Sequence, residues 1–77
     1  MKLSNFIEGL NTLSKYFDNP DGYHIGAEHD QFYVYATDQP LDAADVEKMK
    51  SLEWFQPEAR GDDDAPYDHQ EGWSAFT

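Results

Sequence analysis

The residues of this 77-residue chain that could move protons or hold a cation are three histidines, His24, His29 and His69, and sixteen Asp and Glu. Histidine titrates near neutrality, and a neighbouring carboxylate can orient it as a general base. Abundance weakens that reading, because with so many acids some must neighbour a histidine by composition alone. No cysteine is present, which excludes a thiol nucleophile and the Cys-rich zinc sites. Ser4, Ser14, Ser51 and Ser74 lie in no nucleophile-elbow pattern. A short chain also has little room for the water-excluding pocket that acid–base and covalent catalysis need. The expectation is a non-catalytic protein without a cofactor.

The densest run of possible ligands is GDDDAPYDHQE, which carries Asp62, Asp63, Asp64, Asp68, His69 and Glu71. Clustered carboxylates suit hard cations, and a calcium loop needs oxygen ligands at alternate positions with glycine at the sixth. Counted from Asp62, the fifth residue is Pro66 and the sixth is Tyr67; counted from Asp64, the third is Pro66. Neither register fits. Glu28, His29 and Asp30 crowd three possible zinc ligands into one turn, and there is no His-Glu-x-x-His helix. No specific metal site is expected, although cation binding by the 62–71 segment is one alternative for what the acids do.

The charge is the strongest compositional signal. Five Lys and Arg stand against the sixteen acids, for a formal net charge of −11. Such a chain repels phosphate backbones and anionic membranes and attracts basic surfaces. Arg60 is the only arginine, and Lys2, Lys15, Lys48 and Lys50 form no run, so direct nucleic-acid binding is not expected. The inverse is a second alternative: carboxylates spaced like phosphates could occupy a DNA- or RNA-binding protein. Its candidates are Asp42, Asp45, Glu47 and Glu53, together with Asp62 to Asp64, Asp68 and Glu71. Aromatics make up 16% of the chain, which argues against full disorder. No segment has the roughly 20 apolar residues of a membrane helix, and the first residues lack the apolar run of a signal peptide. A cytoplasmic monomer or weak dimer, forming one domain over 1–77, is expected.

The elements that must position these residues follow from periodicity. Leu3, Phe6, Ile7, Leu10, Leu13 and Phe17 are spaced by threes and fours, which predicts a helix with Ser4 as its cap. The stretch DNPDG at 18–22 ends it. HIGAEHDQFYVYA then reads as a hairpin reversing at His29-Asp30. Tyr23, Ile25, Ala27, Phe32, Val34 and Ala36 share one face, and His24, Gly26, Glu28, Gln31, Tyr33 and Tyr35 share the other. PLDAADVEKMKSLEWF predicts a second helix with Asp42 as its cap, Leu41 and Val46 as a hydrophobic staple, and Val46, Met49, Leu52 and Phe55 turned one way. Residues 57–71 read as a long flexible acidic loop, and the tail as a last strand with Trp73 and Ala75 on one face and Ser74 and Phe76 on the other.

The fold expected is α+β in the order α-β-β-α-β: a small antiparallel sheet with both helices on one face. Phe6, Leu10, Val34 and Leu52 are the expected deep core. The organisation resembles that of small proteins from bacteria and their phages, a resemblance that implies no activity and no residue role. Tyr33 and Tyr35, with His24, would then sit on the sheet face away from the helices. The expected function is binding of a basic partner protein through Tyr33, Tyr35, His24, Asp62, Asp63, Asp64 and Asp68. An aromatic centre with an acidic rim suits protein recognition.

Overall fold

The computed structural model describes residues 1–56 and 66–76. Two helices and three strands follow one another as α1 (Leu3–Ser14), β1 (Ile25–Glu28), β2 (Gln31–Val34), α2 (Ala43–Ser51) and β3 (Trp73–Phe76). The strands form one antiparallel sheet in the order β1-β2-β3. This is the expected α+β architecture. No described helix is long and apolar enough to cross a membrane.

The hairpin takes the register that alternation demands. Ile25 pairs with Val34, Gly26 with Tyr33, Ala27 with Phe32 and Glu28 with Gln31. His29 alone of the two turn residues has a positive φ, at 52°, the sign pattern of a II′ turn. The tail supplies the third strand: Val34 pairs with Trp73 and Phe32 with Ala75, so the apolar face continues onto β3. The outer edge of β3 is itself bonded. Phe55 donates its N–H to the Ser74 carbonyl at 2.9 Å, and Ser74 donates to Phe55 at 2.7 Å.

The core lies between this face and the helices. Leu13, Met49, Trp54, Trp73 and Ala75 are each at most 2% exposed, and Val34, Leu41 and Val46 join them. Val34 is buried as expected, whereas Phe6, Leu10 and Leu52 are only partly buried and pack against the cluster. The difference is Trp54, which takes the centre. Glu53, at φ 71°, turns the chain back after α2. Its N–H bonds the Lys50 carbonyl and that of Trp54 bonds Met49, the paired bonds of a Schellman ending. The indole is thereby returned to α1. It stacks on Phe6 with centroids 5.7 Å apart and donates to the Asn5 carbonyl at 3.2 Å. Gly9 is the residue that admits it, since a Cβ there would overlap the indole.

The helix starts differ. Asp42 caps α2 as expected, accepting the Asp45 N–H at 2.9 Å, with Leu41 and Val46 buried as its staple. Ser4 does not cap α1. The helix begins two residues earlier, at Leu3, with Lys2 in the cap position and no side-chain bond. Leu3 and Ile7 are exposed by 73% and 48%, because α1 turns Phe6, Gly9 and Leu13 inward instead. Tyr23 is fully exposed: it precedes β1, outside the alternation.

Candidate functional site

β2 is the middle strand, so its side chains alternate between the core and the opposite sheet face. Phe32 and Val34 go inward, and Tyr33 and Tyr35 go to the far side. Their rings meet edge to face, 5.7 Å apart at 62°. Tyr33 lies across Gly26, where a Cβ would overlap the ring. The glycine opposite a tyrosine therefore lets the ring lie flat on the sheet. Burial pushes the Tyr33 phenol above its ordinary value, and the neighbouring Tyr35 and Glu28 add to the shift, because a phenolate would face further negative charge.

The same face continues across β3. Ser74 pairs with Tyr33 on one side and bridges Phe55 on the other, which places Gly26, Tyr33, Ser74 and Phe55 in one cross-sheet row. Beside it runs a second row of Glu28, Gln31 and Phe76. The Phe55 and Phe76 rings are 5.1 Å apart. The face thus carries four aromatic rings with Glu28 next to them. Tyr35 is 52% exposed, Phe76 is 38% exposed, and Tyr33 and Phe55 are half-buried. Ser74 sits fully buried among them, and among the described residues its hydroxyl has no hydrogen-bond partner.

Tyr33 and Tyr35 are together where alternation places them. His24 is not with them. It precedes β1, and its ring turns to the α1 side, where it stacks on Phe17 at 4.1 Å and approaches the Asn19 carbonyl with Nε2 at 2.6 Å. Asp68 is exposed, but its carboxylate is occupied in its own turn, accepting the Gln70 N–H at 2.9 Å. Asp62, Asp63 and Asp64 lie outside the described residues. Phe55, expected on the stripe of the second helix with Val46 and Met49, instead lies past the end of α2 and joins this face, as does Phe76. Alternation along β3 places Phe76 on this face. Nothing local marks Phe55, whose position depends on a bridge made just after a helix.

The segment after the acidic run is tightly held. Gln56 is buried, and its amide donates to the Asp68 and Glu71 carbonyls while its oxygen accepts the Asp68 N–H at 3.0 Å. Tyr67 stacks on Trp73 and accepts the Leu41 N–H. His69 Nε2 is 2.8 Å from the Thr37 carbonyl. Two of the three histidines therefore face backbone carbonyls, and the third forms the hairpin turn. Among the described residues, no three His, Asp or Glu gather as a metal would require.

Between the helices, the Tyr16 hydroxyl donates to Asp45, and Lys15 pairs with the same carboxylate at 3.4 Å. The tyrosine bond, helped by Lys15, holds the Asp45 carboxyl below its ordinary value. The same bond raises the Tyr16 phenol. This cluster locks α1 to α2, on a different side from the tyrosine face. Comparison with known protein families, curated proteins and solved structures finds no match to this chain.

Proposed function

We propose that this protein is non-catalytic and works in the cytoplasm by binding a partner protein with a basic surface. The observation that carries the reading is the aromatic face of the sheet, with Tyr33, Tyr35, Phe55 and Phe76 clustered on the side away from the helices. Tyrosine and phenylalanine at a contact centre bury large areas at little cost in side-chain freedom. Glu28 beside the rings and the net charge of −11 steer a basic partner toward it.

The test is affinity capture from a cell extract, followed by binding kinetics on the retained partner. Tyr35→Ala is expected to speed dissociation, with a cost of about 1–3 kcal/mol. Replacing Asp62, Asp63 and Asp64 by Asn is expected to slow association and to flatten its salt dependence. Competition by DNA or RNA for the same partner would identify the acids as a nucleic-acid mimic. Failure to retain a protein at low salt, together with turnover that requires His24, His29 or His69, would overturn the binding reading.

A further inference from the structure

On the other side of the sheet, α1 and the chain from Pro20 to Ile25 enclose an open apolar groove of about 220 Å3. Buried Leu13 and Val34 form its floor, with Leu10 beside them. The stacked Phe17 and His24 line it, and so does Ile25, an edge-strand residue left 56% exposed although it points to the core face. The helices therefore do not cover the β1 end of that face.

The groove is preformed. The Asn19 carbonyl accepts the Gly22 N–H at 3.1 Å and lies 2.6 Å from His24 Nε2, and the Asn19 side chain accepts the Asp21 N–H at 3.2 Å. A wall already held in place loses little freedom on binding. Its size selects the occupant. Pockets for drug-sized molecules run from about 300 to 1,000 Å3, so this one suits a single large apolar side chain. Its rim is acidic. Asp18 and Asp21 are exposed next to the lining residues, and Asp38 is held against Asp18 by accepting its N–H at 2.8 Å. The nearest lysine in sequence, Lys15, is paired with Asp45, and Lys48 is paired with Glu8. A second copy of this chain would set acidic rim against acidic rim.

We propose that this groove docks one large apolar side chain of a partner-protein segment whose flanking residues are lysine or arginine. It is a second contact surface, separate from the tyrosine face, and it stands whether or not that face binds. An aromatic or leucine anchor in a small pocket, ringed by complementary charge, is the arrangement that concentrates binding energy in a few residues.

The test is an NMR titration of the isotope-labelled protein with a short peptide carrying a central Leu-Phe pair between lysines. The expected result is shifts centred on Leu10, Phe17, His24 and Ile25. Binding should fall about tenfold when serines replace the Leu-Phe pair or glutamates replace the lysines. Ile25→Gln and the double change Asp18→Asn with Asp21→Asn should each weaken it to a similar degree, and Tyr35→Ala should leave it unchanged. Ile25 is exposed enough for its variant to fold, which an unchanged melting temperature would verify. Equal binding of the serine peptide would reduce the effect to charge alone and overturn the proposal. Shifts confined to the tyrosine face would overturn it, as would uptake of benzene with no response to the peptide. So would groove shifts that track protein concentration without peptide, the signature of a second copy.

Discussion

Gly9 and Tyr16 show how single residues determine the packing. Gly9 lies within α1, where alanine would ordinarily favour the helix by about 1 kcal/mol. The Trp54 indole occupies the space a Cβ needs, so the sign reverses. Gly9→Ala is expected to destabilise the protein by about 1–3 kcal/mol, the range for overpacking a filled core. A urea midpoint that rises instead would mean Trp54 does not rest on Gly9. Tyr16 and Asp45 add a pH signature. Asp45 titrates below its ordinary 3.8 in the fold, so its contribution is present above that value and is lost as pH falls through the lowered one. Tyr16 titrates above its ordinary 10.0, so its contribution is complete below pH 10 and is lost as pH rises through the raised value. Tyr16→Phe removes the phenol's linkage and weakens that of Asp45, which keeps its pairing with Lys15. Denaturation measured across pH should show a shallower loss of stability at both extremes in the variant than in the wild type.

At the scale of elements, the sheet depends on a strand that arrives last. A two-stranded hairpin alone is marginal in water. β3 contributes Trp73 and Ala75 to the core and is held on both edges, by β2 and by Phe55. Deleting residues 72–77 is expected to destabilise the hairpin that β3 supports. Trp73→Ala should cost about 3–5 kcal/mol, which is a large share of the stability of so small a domain. An unchanged thermal transition in the truncated chain would show that the hairpin stands without β3. The same dependence ties the aromatic face to the core, because Ser74 and Phe76 reach that face only while Trp73 and Ala75 are seated.

For the whole molecule, the net charge of −11 works against compaction as well as toward a basic partner. Among the described residues, Lys15 and Lys48 offset part of it by pairing with Asp45 and Glu8. Screening should therefore help the fold. Raising sodium chloride from about 0.01 M to about 0.5 M shortens the Debye length from about 30 Å to under 8 Å, and the melting temperature is expected to rise with it. The same salt should slow association with a basic partner. A melting temperature that falls with salt would mean that local ion pairs outweigh the general repulsion.

Much of this arrangement is legible along the chain. Alternation in IGAE and QFYV determines which hairpin side chains share a face, because a shift of one residue would turn Ile25 and Val34 outward. Asp42 with Leu41 and Val46 starts the second helix, a signal carried by neighbouring residues, whereas the first helix ends at Ser14, ahead of both Phe17 and the DNPDG stretch expected to stop it. Tyr33 and Tyr35 follow from the same alternation. What lies outside any local pattern was decided by tertiary structure. Trp54 displaces Leu52 from the centre because the left-handed Glu53 swings it back onto Gly9. His24 leaves the tyrosine face because it precedes the strand and finds Phe17. Phe55 joins that face through two backbone bonds to Ser74, nineteen positions along the chain. Periodicity records which residues share a surface within one element, whereas contacts between residues far apart in the chain decide which of those surfaces is covered.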